Sequence, residues 1–154
     1  MTIREKLGKE LIFFDGGTGT ILQEQGLKAG ELPEIWNIEH REAIVSLHKN
    51  YLLAGADILK TNTFGANRLK FPGNEGYCLN EIVTAAIQNA KQAVDEVGGK
   101  QRYIALDIGP TGKLLKPMGD LDFEDACNLF KEVVQIGVAC GVDLVLIETM
   151  SDSY

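Results

Sequence analysis

The chain contains 154 residues, and its 15 Lys and Arg against 22 Asp and Glu give a formal net charge of −7 at pH 7. Hydrophobic residues make up 45% and charged residues 24% of the sequence, which is typical of one globular domain with a real core. No apolar stretch reaches the roughly 18 residues of a transmembrane helix, and the acidic balance argues against nucleic acid, so we expect neither a membrane nor a nucleic-acid partner.

Short apolar runs alternate with helical patterns along the chain. Four runs are predicted to be strands: 11–15, 57–61, 103–107 and 143–148. They lack polar alternation, which is typical of strands buried on both faces of a parallel sheet. Apolar residues spaced three and four apart predict three helices, at about 39–54, 79–97 and 122–139. This order predicts an α/β fold with right-handed crossovers.

Two architectures use such units, the open doubly wound sheet and the closed (β/α)8 barrel. Each run ends in polar or glycine-rich residues, at 15–18, 61–63, 107–112 and 148–149. The strands of a barrel all point toward one centre, whereas an open sheet concentrates its site at one switch point. We therefore expect the first half of a (β/α)8 TIM barrel, with four parallel strands and intervening helices. Residues 1–154 would be the N-terminal half of a barrel domain truncated after the fourth strand.

Two acidic residues, Asp15 and Glu148, end predicted strands. A carboxylate in that position is costly unless it is solvated or paired. In a barrel both would face the central opening, where they could hold a ligand ammonium group. Alternatively, each accepts hydrogen bonds from local backbone N–H groups or pairs with Lys60. Asp107 also lies near a strand end, but the sequence does not rank it.

Hydroxyl, amide and aromatic groups follow the second predicted strand, in the Thr-Asn-Thr-Phe-Gly segment 61–65. They could fix the carboxylate of a small polar ligand, with Phe64 as an apolar wall, or they could form a structural turn. The glycine-rich segment after Asp15 does not complete a dinucleotide fingerprint, because Leu22 stands where the third glycine is required.

The three cysteines, Cys78, Cys127 and Cys140, are odd in number and lack C-x-x-C spacing. A disulfide framework is therefore not expected, and reduced thiols in the cytoplasm are the default. No cysteine lies at the carboxyl end of a predicted strand, so we do not expect the three to share a metal site.

Four segments, in order and at suitable spacing, resemble the homocysteine S-methyltransferase family. They are 14–20 (FDGGTGT), 60–67 (KTNTFGAN), 107–112 (DIGPTG) and 146–152 (LIETMSD). Segment 33–37 (PEIWN) is most similar to the homocysteine-binding module of the cobalamin-dependent methionine synthases within that family. The resemblance implies a (β/α)8 barrel that transfers a methyl group to the homocysteine thiol and so forms methionine.

The resemblance also assigns roles to individual residues. By position, Asp15 and Glu148 would hold the substrate amino group and Gly16 would approach the substrate by its backbone. The threonines and the phenylalanine of segment 61–65 would line the pocket. The implied substrate-binding residues are Asp15, Gly16, Thr61, Thr63, Phe64 and Glu148.

The resemblance implies zinc in the longer protein, held by three cysteines from the second half of the barrel, and no residue here matches them. A free thiol is mostly protonated at neutral pH, and zinc coordination keeps the reactive thiolate. We therefore expect this chain alone to be catalytically inactive, and we expect cobalamin as a further cofactor of the longer protein.

Two other functions stay open from the sequence. One is a non-catalytic structural half-barrel, and the other is a flavodoxin-like domain that binds a small ligand. Because open edges of a parallel sheet are hard to leave in water, we expect self-association or pairing with a missing barrel half.

Overall fold

A computed structural model describes residues 2–74 and 76–151 of the chain. In this part, three parallel strands form one sheet in the order β1 (Ile58–Lys60), β2 (Tyr103–Ile108) and β3 (Leu144–Ile147). Lys60 pairs with Ala105, and Asp107 pairs with Leu146. The fold is therefore mixed α/β with a parallel sheet, as the alternating pattern predicts.

The helices lie between the strands and before the first of them. In chain order they are α1 (Ile3–Lys6), α2 (Gly19–Glu24), α3 (Trp36–Glu39), α4 (Arg41–Leu53), α5 (Leu79–Val97) and α6 (Phe123–Ala139), with a 3₁₀ turn at Pro33–Ile35. Helix α5 begins where the Glu81 carboxylate accepts the Cys78 N–H at 2.8 Å, and it ends at Gly98, whose φ is 60°. The helix expected at about 39–54 corresponds to α4, which begins at Arg41 because His40 has non-helical backbone angles.

The prediction of a fourth strand at 11–15 is wrong. Phe14 forms a single parallel bridge with Ile58, and no ladder extends from it. The backbone N–H of Phe13 donates to the Asp57 carboxylate at 3.0 Å instead of to a strand carbonyl. Leu11, at the start of the segment, is 86% exposed. The Lys60 N–H likewise donates to the Asp15 carboxylate instead of to a backbone carbonyl, so the pairing of this segment with β1 stops at one bridge.

The two faces of the sheet bury different side chains. Ile104, Leu106 and Ile108 of β2 belong to the core formed with α4, α5 and α6. Tyr103 and Ala105 pack on the opposite face with apolar side chains of β1 and β3. Because neighbouring residues of a strand point to opposite faces, Asp107 lies on this second face, close to where the strands end.

The helix-facing side of β3 is only partly covered. Val145 is 38% exposed and Ile147 is 66% exposed. Ile147 lines an apolar cleft of about 510 Å³ beside α6, together with Phe130 and Met150. This cleft is separate from the polar site described below, apart from Glu148 at its border. No helix within residues 2–74 and 76–151 is long and apolar enough to cross a membrane.

Candidate functional site

Acidic side chains gather around Lys60, the last residue of β1. The Lys60 backbone N–H donates to Asp15 Oδ2 at 2.9 Å, and the Lys60 Nζ atom lies 3.6 Å from Glu148 Oε1. Asp15 and Glu148 are 133 positions apart in the sequence (148 − 15), and the fold brings both to one lysine. Both contacts proposed as alternatives from the sequence, backbone capping and pairing with Lys60, are therefore present.

Burial makes Asp15 and Asp107 hard to ionise. Asp15 is 8% exposed, and its Oδ1 atom has no hydrogen-bond partner. Burial raises the pKa of Asp15 to about 6, although the Lys60 N–H and charge oppose the rise. Burial, then a hydrogen bond and the negative charge of Glu148, raise the pKa of Asp107 to about 7. Both carboxyl groups therefore exchange protons near neutral pH.

A polar cleft of about 270 Å³ opens beside this acidic cluster. Lys60, Asp107 and Glu148 lie at its wall, and so do Phe64 and Lys70. The volume is below that of sites for drug-sized molecules and suits a small metabolite. Asp15 lies behind the wall, where it contacts the lysine backbone.

Thr61 and Thr63 are buried beneath the cleft and hold Asp107 in place. The Asp107 N–H donates to Thr61 Oγ1 at 3.2 Å, the two threonine hydroxyls are 2.7 Å apart, and Thr63 Oγ1 donates to the Asp107 carbonyl at 2.7 Å. These contacts close a ring that satisfies both backbone groups of Asp107. Neither threonine lines the cleft, so their contact with substrate stays a prediction.

Phe64 is 41% exposed and forms part of the cleft wall, which agrees with the position expected for an apolar wall. Its backbone carbonyl accepts the Gly109 N–H at 2.9 Å. A Cβ atom on Gly109 would lie 2.6 Å from the Phe64 ring, so only glycine permits this close packing. Gly16 is restricted in the same way, because a Cβ there would lie 2.7 Å from Tyr51 Oη.

A buried network of polar side chains supports the loop that follows β1. Asn62 Nδ2 donates to Asn37 Oδ1 at 3.1 Å, and Asn37 Nδ2 donates back to the Asn62 carbonyl at 2.8 Å. Asn89 of α5 donates to the Asn37 carbonyl at 2.8 Å and accepts from Arg41 Nε at 3.0 Å. Glu34, 3% exposed, accepts the Gly65 N–H at 2.5 Å. These contacts fix the loop that carries Phe64.

Sequence reasoning missed these supporting residues. A signal existed for Asn89, because it interrupts the apolar stripe of α5 and is fully buried. A buried amide requires hydrogen-bond partners, so its presence in the stripe indicates a polar contact with another element. Glu34 and Asn37 lie in segment 33–37, which resembles the family, but the resemblance assigned neither of them a role.

The residues present do not fit a zinc ion. Cys78 precedes α5, Cys127 is exposed on α6, and Cys140 follows α6 with its Sγ 3.7 Å from Thr84 Oγ1. Across 2–74 and 76–151, no three His, Cys, Asp or Glu side chains are arranged to hold a metal. The acids around Lys60 do not form such an arrangement either.

A family model described as homocysteine S-methyltransferase matches residues 12–154. The chain belongs to the homocysteine S-methyltransferase family. This confirms the resemblance found in the four sequence segments.

Solved structures of the homocysteine methyltransferase MmuM from Escherichia coli have a similar fold. The metallated form is 22% identical with a TM-score of 0.76 and matches over 96% of this chain and 57% of its own. The oxidized form is 20% identical with a TM-score of 0.74, over 92% of this chain and 54% of its own. The apo form is 19% identical with a TM-score of 0.72 and matches over 98% of this chain and 53% of its own. The chain therefore spans little more than half the length of these structures.

Proposed function

We propose that this chain is the amino-acid-binding part of a homocysteine S-methyltransferase, a protein that transfers a methyl group to the homocysteine thiol to form methionine. The observation that carries the proposal is the meeting of Asp15 and Glu148 at Lys60, beside a small polar cleft, in a member of this family. We also propose that residues 1–154 form one unit, the first half of a (β/α)8 barrel, in which the strand ends face this site.

The charges of the site suit a ligand ammonium group. Three carboxyl groups, Asp15, Asp107 and Glu148, interact with the single Lys60 ammonium. With all three acids ionised, these four groups have a net charge of −2, which attracts a ligand ammonium group. Ammonium–carboxylate hydrogen bonds are the stronger kind, so they would orient the amino-acid end of the ligand. Phe64 would then contact its carbon chain.

Calorimetry with two ligands tests this function. We expect homocysteine to bind the chain and 4-mercaptobutyrate, which lacks the amino group, to bind at least about tenfold more weakly, because a hydrogen bond to a charged group contributes about 1.5–3 kcal/mol. A phosphine reductant replaces thiol reductants, which would compete for the site. Equal affinities for the two ligands, or no binding of homocysteine, would refute the proposal.

The finer assignment concerns the longer protein. We propose the methionine synthase type, on the similarity of segment 33–37, and with it cobalamin. Zinc would activate the homocysteine thiol there, held by cysteines that do not belong to this chain, and this chain alone would show no turnover. The free cysteines suit a reducing compartment, so we also propose a cytoplasmic location. The family match gives the flavodoxin-like alternative no support.

The exposed helix-facing side of β3 favours a second role, as a structural half that pairs with another chain or barrel half. We expect the protein to self-associate at micromolar concentration in sedimentation velocity, because Val145 and Ile147 expose apolar surface on an edge strand. Ile147→Lys should shift the protein toward monomer. Leu53→Lys is the matched control, since Leu53 is 72% exposed on α4. A wild-type protein that stays monomeric would contradict this role.

A further inference from the structure

Asp107 has the position of a functional acid, yet the family resemblance does not assign it a role. Its backbone is fixed by the ring of hydrogen bonds through Thr61 and Thr63. Its side chain lies at the wall of the polar cleft, and its Oδ1 atom is buried without a hydrogen-bond partner. A buried and unpartnered carboxyl oxygen is costly, which indicates that a ligand or a proton completes the site.

The groups facing Asp107 come from three elements. Lys60 lies at the end of β1, Glu148 follows β3, and Asp15 approaches from the segment before α2. The Lys60 ammonium is 3.6 Å from Glu148, and Lys70 and Glu34 line the same cleft. Asp107 and Glu148 line the same small cleft at the ends of adjacent strands, where the negative charge of Glu148 disfavours a second ionised carboxylate. A single proton on the pair is therefore favoured, with Lys60 as the nearby cation.

We propose that Asp107 is a third acid of the amine site, which shares one proton with Glu148 and gives it up to solvent when a ligand ammonium binds. The inference rests on the proposed function, because it assumes that the ligand carries an ammonium group. The arriving positive charge stabilises the fully ionised pair and takes the place of the shared proton. Binding therefore releases a proton, and affinity rises with pH.

The same chemistry defines the ligands that the site selects. A primary ammonium replaces the shared proton charge for charge, whereas a neutral or anionic group does not. An α-amino acid with an uncharged side chain meets this requirement. An analogue with its amino group removed leaves the proton in place and loses the new contacts to both acids.

Calorimetry in buffers of different ionisation enthalpy measures the proton count directly. Methionine is the probe, because it has the same amino-acid end as homocysteine and no titrating thiol. For the wild type we expect release of about half a proton or more at pH 7, with affinity rising several-fold between about pH 5.5 and 7.5. Asp107→Asn should release fewer than half as many protons as the wild type at pH 7. The remaining acid, Asp15, has a pKa of about 6 and is therefore mostly ionised at that pH. Asp95→Asn, at an exposed position of α5, is the control that should match the wild type.

The outcomes separate this inference from the function on which it rests. If the wild type binds neither methionine nor homocysteine, the proposed function fails, and the inference fails with it. If ligands bind but Asp107→Asn releases as many protons as the wild type, only the inference fails. If the variant does not fold, the number of protons released by the wild type decides the question. Ligand binding without proton release would refute the proposal of a shared proton. A merely structural role for Asp107 would lower the stability of the variant and leave its proton count unchanged.

Discussion

Replacing Glu148 with Gln is expected to weaken homocysteine binding about 10- to 100-fold, because it removes a charged acceptor whose hydrogen bond to an ammonium group contributes about 1.5–3 kcal/mol. Replacing Asp15 with Asn should weaken binding less, because it removes a negative charge that lies behind the cleft wall. Both residues contact Lys60, so each variant also changes the balance of charge at the cleft. The effect of Glu148→Gln should be the more direct, since Glu148 lines the cleft and Asp15 lies behind it. Calorimetry at about pH 7.5 measures the affinities.

The matched control for this prediction is Glu96→Gln. Glu96 is a half-exposed acid of α5 that pairs with Lys49 at 2.7 Å, away from the cleft. Its loss should leave homocysteine affinity unchanged. If the contacts of Asp15 and Glu148 with Lys60 are only structural, all three variants bind alike, and the two site variants differ from the wild type in stability alone.

The second large effect concerns His48, which is fully buried in α4 with no hydrogen-bond partner at either ring nitrogen. Burial lowers its pKa from 6.5 to about 4, so the folded protein holds the neutral ring. Because the pKa of His48 is lower in the folded state than in the unfolded state, the protein has its full free energy of unfolding from this residue above pH 6.5. That free energy is lost as the pH falls toward 4. Relative to His48→Met, wild type should lose on the order of 3 kcal/mol of unfolding free energy over that range.

Urea unfolding of both proteins at several pH values checks the result. The difference between them is the useful quantity, because the raised pKa values of Asp15 and Asp107 act in the opposite direction and favour the folded state at low pH. Leu47→Met is the control, since Leu47 is buried on the same helix and does not titrate. Its free energy of unfolding should run parallel to that of the wild type. Parallel curves for His48→Met would show that His48 takes up its proton without loss of fold.

The long helices could be predicted from the sequence because each carries its own boundaries. Helix α5 has an apolar stripe along its whole length and glycines at its end, and its bounds agree with the prediction. The segment 11–15 has an equally clear apolar pattern, yet it is not a strand. A parallel ladder requires successive backbone hydrogen bonds, and only the three-dimensional arrangement shows that the Asp57 and Asp15 carboxylates accept two of the N–H groups involved.

The candidate site was predictable only in part, because some of its residues are marked by local sequence and others by contacts between strands. Asp15 and Glu148 stand out because each follows an apolar run, and the parallel fold brings such positions together. Asp107 could not be ranked, since its side of the sheet depends on strand register. The roles of Thr61 and Thr63 in holding Asp107 also depend on contacts between strands, about which a single chain segment carries no information.

The amide network of Asn37, Asn62 and Asn89 bears on how tightly a small molecule can be held. It attaches the segment after β1 to two helices before any ligand arrives. Ordering a flexible segment would oppose association by an entropic cost of about 1–2 kcal/mol for each residue fixed. Because this segment is already ordered in the free protein, little of the favourable interaction energy with a ligand is lost to ordering it, and more remains as net binding free energy.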